Sequence, residues 1–229
     1  MNFQQTFGDT KRQTTSDEVY RRLQSDIISL RLIPGTKISE VEVSKLYDVS
    51  RQPVREAFMR LGNLNLLQIR PQKATLVRKI SVQELENTRF IRASVEVEVV
   101  RKACQMISEE NLALIDANLV LQEAAIASLN AVLLHELDYE FHRLICVAAD
   151  CLSAFKTIAE NKAHTDRVCT LVLSDTSGMA EVLEGHTNII KAIKMKDEDT
   201  AVQMTRFHLA HLDDTLEKAR MNHADYFED

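Results

Sequence analysis

Five glycines and three prolines in 229 residues are few, and no stretch alternates β-branched and polar residues between turns. That scarcity argues against a sheet-rich chain and for a mostly helical one. The four cysteines, Cys104, Cys146, Cys151 and Cys169, form no C-x-x-C pair. Neither a thiolate zinc site nor a dithiol redox motif follows, and reduced, buried thiols in a cytosolic protein are expected. No apolar run can span a bilayer, because the most apolar region, 112–134, is interrupted by Asp116, Asn118, Gln122 and Glu123. No membrane partner is expected. The N-terminus has no apolar core of the kind a signal peptide carries, and residues 1–13 read as a polar, mobile tail. There is no glycine-rich phosphate loop, nucleophile motif or internal repeat, so no catalytic residue is assigned.

The length suits one large or two modest domains. Charge divides the chain: residues 1–80 carry 14 Lys and Arg against 8 Asp and Glu, whereas 81–229 carry 14 against 26. A basic module joined to an acidic one fits an N-terminal part that approaches a polyanion.

From Ser16, the residues Val19, Leu23, Ile27 and Leu30 have helical spacing and stop before the turn signal Ile33-Pro34-Gly35. Ser39-Glu-Val-Glu42 is a capping box, so a second helix should run from Glu40 to about Tyr47. Asp48 closes it, and Ser50 should cap a third helix that tolerates Pro53 in its first turn. Val54, Ala57, Phe58 and Leu61 form that helix's apolar stripe, with Arg51, Gln52 and Arg55 on another face. Two guanidiniums and an amide near a helix N-terminus suit phosphates and base edges in a DNA major groove. The helix should end near Asn65, a residue that tolerates the left-handed conformation. Two short apolar runs then flank the basic turn Arg70-Pro-Gln-Lys73, which reads as a two-stranded wing over 66–79. Three helices and a wing predict a winged helix-turn-helix over 14–79.

Leu32-Ile-Pro-Gly35, Ile38-Ser-Glu40 and Val49-Ser-Arg-Gln-Pro-Val-Arg-Glu-Ala57 resemble the N-terminal domain of the GntR family of bacterial transcription regulators. The resemblance implies that Arg51 and Arg55 contact operator DNA and that the wing tip enters the minor groove. The DNA-contact set is then Lys37, Ser50, Arg51, Gln52, Arg55, Arg70, Lys73 and Thr75. The chain departs from that family at Gln72 and Ala74, where the wing usually has glycines, and at Asp48, where the turn usually has one.

Ser81-Val-Gln-Glu84 is another capping box and opens an all-helical region, 80–229. Helices are expected at 82–106, 109–127, 129–149, 152–172, 178–195 and 198–220, a bundle of six to seven. Around 134–145 the core stripe is Leu134, Leu137, Phe141 and Leu144, and Asp138 and His142 lie four apart beside it. His186 precedes Ile189, Ile190 and Ile193, and His208 lies with Ala201, Met204 and Leu212. Four polar groups on inward faces of three helices are costly without a shared partner, and a divalent metal would satisfy all four. Three imidazoles and a carboxylate suit zinc first, or nickel, iron or manganese, rather than calcium. His135 reads as surface, His164 and Arg167 as cavity-lining or solvated, and His211 and His223 as exposed.

Asp-x-x-x-His, a second His and a third 22 residues later resemble the metal-binding pattern of the FadR-type C-terminal domain known as FCD. Arg92-Ala-Ser-Val-Glu96 resembles that domain's R-x-x-x-E signature. The resemblance implies metal ligands Asp138, His142, His186 and His208, and an effector pocket faced by Arg92, to which Arg167 is added as the cavity-lining arginine. Gly185 departs from it, since an acidic residue usually precedes the histidine.

The expected protein is therefore a cytoplasmic bacterial regulator and homodimer, more often a repressor in this family. It would bind double-stranded operator DNA under control of a small organic acid at the metal. Two alternatives remain open: a constitutive DNA binder with a structural metal, and a metal-dependent hydrolase fused to a DNA-binding module.

Overall fold

Val19, Leu23 and Ile27 are the buried stripe of helix α1 (Thr15–Ile28), whose start is tied by Thr14 Oγ1 accepting from the Asp17 amide. A left-handed φ of 57° at Leu30 follows α1, so the helix stops short of the Leu30 the periodicity included. The computed structural model describes residues 14–70, 73–172, 176–210 and 212–228. The tail 1–13, the turn residues Pro71 and Gln72, and His211 lie outside them.

The described residues are mainly helical and divide into two units, one within 14–27 and 31–78 and one within 28–30 and 79–228. In the first, helix α2 (Glu40–Leu46) is capped by Ser39, which accepts from the Glu42 amide at 3.2 Å. Helix α3 (Arg51–Asn63) buries Val54, Ala57, Phe58 and Leu61. Asp48, with φ 52°, makes the tight turn between α2 and α3, so a non-glycine residue adopts the left-handed conformation there. Asn65 does the same after α3, as expected. Ser50 is the N-cap of α3, but its side chain makes no capping hydrogen bond, a correction to the expected role.

The wing also differs from the two strands expected. Strands β1 (Lys37–Ile38), β2 (Leu67–Gln68) and β3 (Thr75–Val77) form an antiparallel sheet in the order β1-β3-β2. Lys37 pairs with Leu76 and Ile38 with Thr75, so the segment after Pro34-Gly35 supplies a third strand.

The second unit contains α4 (Val82–Met106), α5 (Glu109–Ala127), α6 (Ala131–Ala148), α7 (Leu152–Val172), α8 (Thr176–Lys194), α9 (Glu198–Ala210) and α10 (Leu212–Asn222). Helices α9 and α10 together cover the span 198–220 read as helical, apart from residue 211, which lies outside the described residues. Ser81 and Ser108 cap α4 and α5 through the amides of Glu84 and Asn111. Helix α4 packs against α6, α7, α8 and α9. One apolar cluster joins Val100 and Ala103 of α4, Ile115 of α5, Phe141 and Ile145 of α6, and Ile189 and Ile193 of α8. In a second cluster Ile80 bridges to Phe227, and both are buried with Leu85 and Val168. His223, read as exposed, is half-buried and stacks on Tyr226. Cys104 and Cys146 are buried, and Cys151 and Cys169 half-buried. Among the described residues no helix is long and apolar enough to cross a membrane.

Candidate nucleic-acid interface and metal centre

Because α3 buries its Val54–Leu61 stripe, Arg51, Gln52 and Arg55 are left on the outer face, all exposed. Both arginines meet one carboxylate. Glu40 of α2 accepts from Arg51 Nη2 at 3.0 Å and from Arg55 Nε and Nη2 at 3.1 and 3.2 Å. The Arg55 hydrogen bond, against a smaller burial effect, holds the Glu40 carboxyl below its usual range. Gln52 donates to Glu56 at 3.0 Å. Lys37, Ser50 and Lys73 are also exposed, and Ser50 keeps its hydroxyl out of the helix cap. Arg70 is half-buried, and Thr75 is buried in the sheet, so Thr75 leaves the surface set expected from sequence. Its burial follows from the register, which faces it to Ile38.

In the helical unit the four expected ligands converge. Asp138 and His142 of α6, His186 of α8 and His208 of α9 each offer a donor atom, all within 4.8 Å of one another. His186 is fully buried and Phe141 stacks on its ring at 3.9 Å between centroids. Asp138 Oδ1 lies 3.1 Å from His186 Nε2 and 3.6 Å from His142 Nε2.

The outer ring nitrogens are held. His142 Nδ1 is 2.7 Å from Glu96 Oε2, and Arg92 Nε donates to Glu96 Oε1 at 2.7 Å. His186 Nδ1 is 2.9 Å from Gln122 Oε1. Gln122 spends its amide protons on Asn118 Oδ1 at 2.7 Å, so its oxygen faces the histidine. In the neutral form both Nδ1 atoms would therefore carry the proton, and both Nε2 lone pairs would point inward at a carboxylate. Neither Nε2 has a hydrogen-bond partner. Buried acceptors facing one another call for a cation between them, and this donor set fits a transition metal with histidines oriented from behind.

Electrostatics agree with that fit. Burial alone would raise Asp138, but the Lys162 ammonium and the two histidines hold its carboxyl well below the usual range. Burial lowers His186, and it lowers His208 further with help from the two neighbouring imidazoles, so both favour the neutral form a metal needs. His142 goes the other way: burial opposes its charge, but Glu96 and Asp138 outweigh burial and raise it. A proton and a metal ion are thus alternative partners for His142.

Two groups escaped the reading of the sequence. Lys162 of α7 is buried and its ammonium lies between Asp138 Oδ2 and Asp166 Oδ1. Its only sequence signal is the i,i+4 spacing to Asp166. Gln122 was visible as a polar break in an apolar helix, without a partner to name. Arg92 is buried against Glu96 and Thr165. His164 and Arg167 are buried too, which removes the solvated alternative for both. His135 is half-exposed, with Nε2 3.7 Å from Asp166 Oδ2.

Comparison with known proteins matches residues 15–77 to bacterial regulatory proteins of the gntR family and residues 88–211 to the FCD domain. The HTH-type transcriptional repressor RspR of Escherichia coli K12 is 37% identical over 215 residues, 94% of each chain. Escherichia coli McbR/YncC has a similar fold, with a TM-score of 0.79 at 17% identity over 92% of this chain and 99% of that one. A transcriptional regulator from Rhodococcus sp. RHA1 superposes with a TM-score of 0.71 at 20% identity, covering 88% and 97%.

Proposed function

The chain belongs to the gntR family of bacterial regulatory proteins and carries an FCD domain, which makes it a DNA-binding transcriptional regulator, and we propose that it is a repressor relieved by a small organic acid bound beside a metal ion. The repressor sign rests on the name of its Escherichia coli relative. DNA contact rests on the exposed Arg51 and Arg55, whose guanidiniums suit phosphates and guanine edges. Two copies would present two α3 helices about one DNA turn apart, roughly 34 Å, to a pseudo-palindromic operator. Phe90 of α4, 74% exposed, offers apolar surface for a second copy to cover.

The observation that carries the effector half is the pair of orphaned Nε2 atoms of His142 and His186 facing Asp138. Asp138, His142, His186 and His208 would hold the ion, zinc by donor preference, with nickel or manganese also compatible. A bound divalent ion supplies a positive centre that an organic acid's carboxylate can join. Arg92 stands behind Glu96, so a carboxylate that drew its guanidinium would also loosen the hold on His142. Such an effector can shift operator occupancy only by its difference in affinity for two arrangements of the chain, typically 1–3 kcal/mol.

The test combines elemental analysis and native mass spectrometry of tag-free protein, purified without chelators, with operator binding. About one metal per chain and a co-purifying acid that weakens operator binding are expected. Metal-free protein would sink the effector half and leave DNA binding standing. Retained metal with operator binding indifferent to organic acids would make the ion structural.

A further inference from the structure

Asp138 belongs to two groups of potential ligands. One is the set with His142, His186 and His208, and the other joins it to His135 and Asp166, again with all donor atoms within 4.8 Å of one another. Its two oxygens divide accordingly. Oδ1 faces the imidazoles, whereas Oδ2 holds the Lys162 ammonium, which also sits 2.5 Å from Asp166 Oδ1 and 4.7 Å from the centre of the Tyr139 ring. A carboxylate that gives one oxygen to each of two cations is the way two-metal sites are bridged, with ions about 3.5–4 Å apart. Asp166 is only 3% exposed, and its Oδ2 has no hydrogen-bond partner. That oxygen faces His135 Nε2 at 3.7 Å, so a second donor set of two carboxylates and an imidazole is in place beside the ammonium.

We propose that Lys162 is a built-in second cation, its ammonium filling what would otherwise be the second half of a two-metal site bridged by Asp138. The inference rests on the metal reading above. Because the ammonium is tethered to α7 it cannot exchange, so Asp138 is left one oxygen for a metal and the centre is restricted to one ion. A simple structural ion pair makes a different prediction: its removal would leave Asp138 and Asp166 without affinity for a further ion.

The experiment is zinc titration of the full-length, tag-free protein, read as ions per chain by native mass spectrometry and elemental analysis. The wild type should saturate at one zinc, Lys162→Met at two, Lys162→Arg at one, and Lys162→Met with Asp166→Asn at one. A Lys162→Met protein that stays at one, or a wild type that takes two, overturns the proposal. A wild type at zero with Lys162→Met at one would remove the imidazole site yet uphold the role of Lys162, and zero in both would remove both. Circular dichroism checks that each variant is folded. Should Lys162→Met not fold, the wild type still decides: the slowly exchanging ammonium protons of Lys162, seen by nitrogen-15 NMR, must persist when zinc is added. Their loss would overturn the proposal.

Discussion

A Cβ atom added to Gly185 would lie 2.6 Å from His208 Nδ1, closer than real contacts allow. The ring of His208 occupies the space a side chain at 185 would take. The departure from an acidic residue before His186 therefore has a steric counterpart on the neighbouring helix, where the histidine closes on bare backbone. Gly185→Ala should push His208 away from the other ligands and weaken zinc binding by about tenfold, in the range of lost supporting contacts. Competitive titration against a chelator measures it, and unchanged affinity would remove His208 from the set.

Gln122 holds His186 in the tautomer that turns Nε2 inward. Gln122→Leu keeps the volume and deletes that acceptor, so zinc affinity should fall 10- to 100-fold with helix content unchanged. If affinity were unchanged, the amide would be a packing contact and not an orienting one.

Glu40 holds both Arg51 and Arg55, the two guanidiniums proposed to meet DNA, so it should compete with phosphates for them. Arg55→Ala should cost about 1–3 kcal/mol of operator binding, the range of one good base contact. Glu40→Gln should do the opposite to unspecific binding. With the carboxylate gone, affinity for random duplex should rise and its salt dependence steepen by about one counterion. Fluorescence anisotropy on operator and random DNA across a salt series separates the two effects. A Glu40→Gln protein that loses both affinities equally would mean that the carboxylate orients the arginines rather than competing for them.

Metal uptake should be acid-sensitive, with the sign set by His142. Its pKa is raised above the ordinary 6.5, so protons compete with the ion as pH falls through that raised value. Zinc affinity should therefore decline already on the alkaline side of 6.5. In metal-free protein the sign is reversed. The charged His142–Glu96 pair is fully present below 6.5 and its contribution is lost as pH rises through the raised value. Calorimetric zinc titrations from pH 6 to 8, beside melts of metal-free protein, check both signs. Zinc affinity flat across that range would exclude protonated His142 from the apo site.

Two serine caps should respond differently. Ser39 accepts a hydrogen bond from the Glu42 amide, whereas Ser50 accepts none. Ser39→Ala should cost about 1 kcal/mol and Ser50→Ala well under half of that, read from denaturant midpoints. Equal losses would show that Ser50 caps α3 in solution.

Much of the molecule was legible because its signals are local. Stripes at i, i+3 and i+4, the capping serines Ser39 and Ser81 and the left-handed Asn65 report on contacts within a turn or two, which the chain carries in its own order. The same spacing placed Arg51 and Arg55 on one face and Asp138 beside His142. Even the long-range meeting of His186 and His208 with that pair could be anticipated, since apolar stripes told which way each helix turns.

What the sequence determined by itself, then, is which side chains face inward and which face out. Beyond the Asp138, His142, His186 and His208 set, tertiary structure alone decided who meets whom. Gln122 reaches His186 across 64 positions, and Arg92 reaches Thr165 across 73. Lys162 finds Asp138 because α6 packs on α7, Glu40 finds two arginines because α2 turns back on α3, and Thr75 is hidden because β1 joins the wing. Periodicity specifies an angle about one helix axis. The partner across the gap depends on how separate helices cross and slide, and that is settled by the packing of the whole core.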